Sequence, residues 1–301
     1  MSGKMRTLVG YSPDDRGEDA LALAALVAAG TGGPVTAAHV YPPPWPAHGP
    51  GRVDAEWVAY LRNQADEALA RAAERLGELS VPRSRRAVRA HAHRGSGRGL
   101  AEVARDDGAG LIVIGSAPRG RRGRIAIGST ADQLLHGSPV PVMLAPRGYA
   151  GAAPRRLERM TIAYWRRRRG TEGPLRAAAE FAAALDLPMR LVTLVLRPPG
   201  LAPRFRTVGG VLERQVAQAD EDLREAAALL GDGTPVERLT SVGTGIDKAL
   251  GAVDMLPGEV LACQSSHDAP LRKVFLGESS GKIVRAAPCP VLVLPRGAAG
   301  G

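Results

Sequence analysis

Aromatic residues make up 4% of this 301-residue chain, lysine occurs only at positions 4, 248, 273 and 282, and there are two cysteines. Each scarcity excludes something. Cys263 and Cys289 are too few for a disulfide framework or a cysteine-ligated metal site. One is expected at the end of a strand and the other just before the next parallel strand, so they should sit at opposite ends of a sheet as reduced packing residues. No apolar run approaches the roughly 18 to 20 residues that span a membrane, although 45% of the residues are hydrophobic, so a soluble globular chain is expected. The first residues lead directly into an expected strand without the apolar core of a signal peptide, which implies a cytoplasmic location. The net charge of +10 is carried almost wholly by arginine. With so few aromatic rings for base stacking, it reads as a solvated basic surface rather than a nucleic-acid footprint. A nucleophile elbow, a Walker sequence and paired-carboxylate spacing are also missing, so no enzymatic activity is expected.

What the chain does contain is one stretch, residues 111–148, written twice. A β-branched run, Leu111-Ile112-Val113-Ile114, ends on Gly115-Ser116. An Arg/Gly-rich loop follows, then Gly128-Ser129-Thr130 at the head of a short helical segment, and a final apolar strand over 140–145. Adding 149 to each number carries the stretch onto 260–297 without a gap: Gly128 falls on Gly277, Ser116 on Ser265, Pro139 and Pro141 on Pro288 and Pro290, and Pro146-Arg147-Gly148 on Pro295-Arg296-Gly297. Two copies of one unit follow, over 1–148 and 155–297, each of the usual single-core size. The intervening Tyr149 to Pro154 reads as a linker.

Within the first copy the patterning predicts strands over 7–11, 35–41, 87–93 and 111–114 and helices over 18–29, 54–79 and 97–106. In the long helix, Trp57, Leu61, Ala65, Leu69, Ala72 and Leu76 form an apolar face at helical spacing. The second copy repeats the order, with strands over 160–164, 189–196 and 236–242 and helices over 174–185, 211–230 and 246–254. Strict alternation of strand and helix predicts an α/β fold with parallel strands and right-handed crossovers. In such a sheet ligands bind at the carboxyl ends of the strands, where the strand order reverses. Gly10, Tyr11 and Ser12, Val40, Ile114 and Gly115 fall at those ends.

Three histidines have a bland expectation. His91 and His93 share a face of one strand and His39 lies on its neighbour, with no carboxylate or cysteine evident beside them, so hydrogen-bonded imidazoles are expected rather than a metal site. Asp14 and Asp15 read as turn residues capping the first helix. Trp165 with Arg166 to Arg169 reads as a solvated loop.

The spacing Gly115, two residues, Pro118, nine residues, Gly128-Ser129 resembles the fingerprint of the universal stress protein family, which is Gly, two residues, Gly, nine residues, then Gly followed by Ser or Thr. The strand-loop-helix setting and Pro139-Val140-Pro141-Val142 agree with it. The resemblance covers nearly the whole chain as a tandem of two doubly wound domains, each a five-stranded parallel sheet in the order 3-2-1-4-5 flanked by helices. It implies a cytoplasmic stress-response protein that binds ATP or AMP, with Mg²⁺, in the first domain only. An alternative is a nucleotide-independent scaffold for an unidentified protein partner.

The family's metal- and nucleoside-contacting Asp falls on Ser12, with Asp14 close behind. The middle Gly is Pro118, which has no N–H and a fixed φ. Gly115, Gly128, Ser129 and Thr130 remain as the phosphate cradle, and Arg119, Arg121, Arg122 and Arg124 add positive charge. In the second copy the fingerprint positions are Gln264, His267, Gly277 and Glu278, and a carboxylate at 278 would oppose a phosphate, so no nucleotide is expected there. By the same resemblance, the last strands of the two copies would pair as an internal pseudo-dimer, with a homodimer of whole chains also open.

Overall fold

The computed structural model describes residues 4–43, 52–164, 172–197, 206–231, 235–264 and 278–295. Several expectations fall outside them: Trp165 to Arg169, and the second copy's loop with His267 and Gly277. The chain divides into two compact units, Met1–Arg156 and Leu157–Gly301.

The first unit runs β1 (Thr7–Gly10), α1 (Asp15–Thr31), β2 (Val35–Tyr41), α2 (Arg52–Glu78), β3 (Arg86–Ala92), α3 (Ser96–Asp107), β4 (Leu111–Gly115), α4 (Ser129–Gly137) and β5 (Val142–Ala145). Its strands are ordered β3-β2-β1-β4-β5, every pair parallel. Helices cover both faces, so the central strands carry apolar side chains on both sides. Leu8, Val9, Leu111, Ile112 and Val113 are fully buried.

Two boundaries move for local reasons. Helix α1 begins at Asp15, ahead of the expected 18, because the Asp14 side chain caps it by accepting from the Arg16 and Gly17 amides. Strand β5 begins after Pro141, which has no N–H for the ladder; its carbonyl still accepts from the Ile112 amide at 3.0 Å.

The segment read as a linker is in part a fixture of the first unit. Residues Tyr149–Gly151 form a single 3-10 turn, held to α1 where the Gly148 and Ala150 amides donate to the buried Asp19 carboxylate, each at 2.8 Å. Burial raises the Asp19 carboxyl above its ordinary value, partly offset by these amides. The apolar face of α2 also ends earlier than its periodicity. Ala65, Leu69, Ala72 and Leu76 are buried, but Trp57 is 55% exposed and stacks on Tyr60, which is 52% exposed.

The second unit comprises β6 (Arg159–Ala163), α5 (Glu172–Ala184), β7 (Met189–Leu196), α6 (Arg206–Ala228), β8 (Val236–Gly243), α7 (Ile246–Gly251), β9 (Glu259–Gln264), α8 (Glu278–Ala286) and β10 (Val291–Leu294). Its order is β8-β7-β6-β9-β10, again parallel. Each unit is therefore the doubly wound α/β domain expected.

The second unit also holds a charge cluster with no counterpart among the described residues of the first. At the amino ends of β6, β7 and β9, the fully buried Glu259 accepts from Arg159 (Nη2 at 2.9 Å), from Arg190 (Nη2 at 3.2 Å), from Thr161 and from the Leu256 amide. Arg190, 2% exposed, also donates to Thr161 Oγ1 and the Asp254 carbonyl. By strand register, Leu8, Thr36 and Gly110 stand where the second unit has Thr161, Arg190 and Glu259.

Candidate functional site

In the first unit the strand order reverses between β1 and β4. A cavity of about 710 Å³ opens there, at the carboxyl ends of β1, β2 and β4. Two glycines lie at its floor. A Cβ on Gly10 would lie 2.5 Å from Leu100 Cδ1, so the Leu100 side chain on α3 packs directly over the end of β1. A Cβ on Gly115 would lie 2.2 Å from the Arg16 carbonyl oxygen, so the first turn of α1 rests directly on the end of β4.

Beyond Gly115 the loop is closed at its neck. The buried Ser116 Oγ accepts from the Ala126 amide at 2.9 Å, and the Ala117 amide donates to the Ala126 carbonyl at 2.9 Å. The loop tip is bound by the segment after β5: Arg147 donates to the Gly120 carbonyl at 2.8 Å, and its own carbonyl accepts from the Gly123 amide. The Arg147 of the repeated Pro-Arg-Gly is thus a loop clamp.

The heads of α3 and α4 meet at the cleft and are treated differently. The first amides of α3, at Gly97 and Arg98, donate to Gln133 Oε1 on α4. Helix α4 starts after Gly128, whose backbone is extended and which provides no side-chain cap. The first amides of α4 therefore lack helical acceptors and carry the positive end of the helix dipole. Ser129, Thr130 and Ala131 line the cavity, and Thr130 Oγ1 is 2.6 Å from Ser96 Oγ, which lines it too.

Of the residues singled out from the sequence, the structure brings together Gly10, Tyr11, Ser12, Val40, Ile114, Gly115, Pro118, Arg119, Gly128, Ser129 and Thr130 around this cavity. Asp14 stands apart. Beyond capping α1, it accepts from Ser12 Oγ at 2.8 Å and takes a fork from Arg16, Nε at 3.0 Å and Nη2 at 2.5 Å. Burial alone would raise its carboxyl, but these hydrogen bonds and the Arg16 charge hold it below the ordinary value. Arg16 itself lines the cavity.

The arginine-rich loop contributes less than its composition suggests. Arg119 faces the cavity, whereas Arg122 packs against Gly148 and Arg124 donates to the Gly123 carbonyl.

The histidines divide. His39 and Ala90 are register partners, as are Val40 and His91, so His39 points to the opposite face from His91 and His93. His39 Nδ1 lies 3.0 Å from the Tyr11 carbonyl. A carbonyl only accepts, so Nδ1 carries the proton and Nε2 is the acceptor in the neutral ring. On the α3 side a carboxylate does stand beside the histidines, contrary to the sequence reading. Glu102 lies 3.0 Å from His91 Nε2 and 3.5 Å from His93 Nε2, and these partners lower its carboxyl. Among the described residues, no group of three or more His, Cys, Asp or Glu is arranged to hold a metal ion.

Sequence reasoning did not single out Arg16, His39 and Ser96 as cleft residues. Arg16 and Ser96 stand in first helical turns beside strand ends, a position that could have marked them. Gln133 and Arg147 act across the cleft wall and leave no local signal.

The model of the Universal stress protein family matches residues 5–146 and 170–295. Two relatives, Universal stress protein Rv2319c of Mycobacterium tuberculosis and Universal stress protein Mb2346c of Mycobacterium bovis, are each 36% identical over 296 residues, covering 97% of this chain and all of theirs. Among solved structures, a universal stress protein from Archaeoglobus fulgidus is similar with a TM-score of 0.59 at 15% identity, over 97% of this chain and 98% of that one. One from Pseudomonas aeruginosa gives 0.55 at 16% identity, over 98% and 94%. Among the described residues, no helix is long and apolar enough to cross a membrane.

Proposed function

The chain belongs to the universal stress protein family as a tandem of two copies, and from that premise we propose that its first unit is a receptor for an adenine nucleotide, AMP or ATP, bound in the cleft between β1 and β4. The observation that carries this reading is the convergence, around one cavity of about 710 Å³, of an uncapped helix head, two arginines and apolar side chains. A mononucleotide uses all three kinds of surface. Ser129, Thr130, Arg16 and Arg119 meet the phosphates, while Val40, Leu100 and Ile114 offer apolar area to base and sugar.

The role is one of binding and response rather than turnover, with the second unit as a partner that lacks the nucleotide. The test is calorimetry of the full chain with AMP and ATP, which should give one site per chain. Binding by a variant whose α4 head is blocked would remove the cleft from the account.

A second reading, a nucleotide-independent scaffold for other proteins, is favoured by one feature. The stacked Trp57 and Tyr60 present large aromatic area to solvent, of the kind enriched at protein contacts. Retention of physiological partners by a nucleotide-blind variant, together with their loss from Trp57→Ala, would select it.

A further inference from the structure

We propose that the cleft of the first unit takes its nucleotide as the free anion, without a divalent cation, the charge of the phosphates being met by Arg16 and Arg119. This rests on the nucleotide reading above and concerns what balances the ligand's charge. Among the described residues lining the cavity there is no aspartate or glutamate; the ionisable side chains are those of Arg16, Arg119, His39 and Tyr11. A Mg²⁺ ion in a nucleotide site is held by one or two protein carboxylates together with phosphate oxygens, and this lining offers none.

Asp15, beside Arg16, is exposed and lies outside the lining, and the carboxylate two residues after Ser12 is already fully engaged. Both oxygens of Asp14 are bound, Oδ1 to Ser12 Oγ and the Arg16 amide and Oδ2 to the Arg16 guanidinium, so a cation recruited to it would have to displace Arg16. Asp132, the acid in the first turn of α4, lines a separate groove between α3 and α4 with Arg98 and Arg105.

What stands in place of a metal is a pair of permanent cations. Arg16 is fixed at the rim through Nε and Nη2, which leaves its Nη1 donors for a ligand. Those Nη1 donors can meet phosphate oxygens, and a guanidinium cannot lose its proton. Arg119 faces the same cavity from the loop. Mg²⁺ bound to a polyphosphate would compete with both arginines for the same oxygens.

The full chain is titrated calorimetrically with AMP and with ATP, each in EDTA and in excess MgCl₂. The account expects AMP affinity to change by less than about twofold between the two buffers and ATP to bind several-fold more weakly with Mg²⁺. It also expects Arg16→Gln and Arg119→Gln each to lose about tenfold in AMP affinity in EDTA, with unchanged circular dichroism. Binding that appears only with Mg²⁺, or that strengthens tenfold with it, overturns the proposal while leaving the nucleotide reading intact. Failure of both nucleotides to bind in either buffer overturns the nucleotide reading itself, and this inference with it.

Discussion

Replacing Glu259 by glutamine should destabilise the second unit far more than a one-atom change suggests. The carboxylate is fully buried and receives Arg159 at 2.9 Å, Arg190 at 3.2 Å, the Leu256 amide at 2.9 Å and the Thr161 hydroxyl. Glutamine keeps the shape and one acceptor oxygen, but turns the other oxygen into a donor facing donors. It also leaves the guanidinium of Arg190, 2% exposed, without a buried counter-charge. Breaking a buried pair in this way costs about 3–5 kcal/mol.

Hydrogen exchange read by mass spectrometry separates the two units. Amides of β6, β7 and β9 should exchange at least a hundredfold faster in the variant, while those of β1, β2 and β4 stay as they were. The first unit, with Leu8, Thr36 and Gly110 at the matching places, shows that the fold does not require this cluster. The double substitution Glu259→Met with Arg190→Met should therefore recover much of the loss. A Glu259→Gln chain whose second-unit amides exchange at the parent rate would refute the claim that the cluster holds β6, β7 and β9 together.

Gly115→Ala should cost about 1–3 kcal/mol by overpacking against the Arg16 carbonyl, whereas Gly128→Ala, whose Cβ would meet only Ala117 Cβ at 3.0 Å, should shift the melting temperature little; equal effects would contradict the packing argument. Ser129→Glu puts a carboxylate at the α4 head, and at about 4 Å from a phosphate with an effective dielectric near 20 the repulsion is about 4 kcal/mol, roughly a thousandfold in nucleotide affinity. Calorimetry checks the loss, with circular dichroism to show an intact fold. Burial raises the native pKa of Asp19, so the native state holds its proton more tightly than the unfolded chain does between the ordinary carboxyl value and the raised one. The parent should therefore gain stability relative to Asp19→Asn as pH falls through that window. Thermal melts of both proteins from pH 7 to pH 3.5 would show a flat difference if the burial argument were wrong.

The parts of this fold legible in the sequence are those written in turn chemistry. Gly128 and Gly277, the paired prolines before the last strand and the repeated Pro-Arg-Gly are local, and they defined the repeat before any contact was known. The cleft was legible for a related reason: in a parallel sheet its residues are those at strand ends and the next helix head, so Gly10, Val40, Gly115 and Ser129 follow from the order of elements. Contacts between distant parts of the chain were not legible. Asp19 reaches the Gly148 and Ala150 amides across 129 and 131 residues, Arg190 reaches Glu259 across 69, and Gln133 caps α3 from 36 residues away. Nothing in local pattern announces them.

Trp57 was misread because periodicity outlasts burial. At 27 residues α2 is about 40 Å long, while the seven-residue β2 beneath it covers only about 23 Å. The helix is longer than the strand it packs on, and Trp57 and Tyr60 face solvent.

The most direct test of the central claim is the stoichiometry of AMP binding to the intact chain, measured by calorimetry beside the Ser129→Glu variant. One molecule bound per chain, and none by the variant, is the predicted result and assigns the nucleotide to the cleft of the first unit. Two molecules per chain, or binding that Ser129→Glu leaves untouched, would contradict the account.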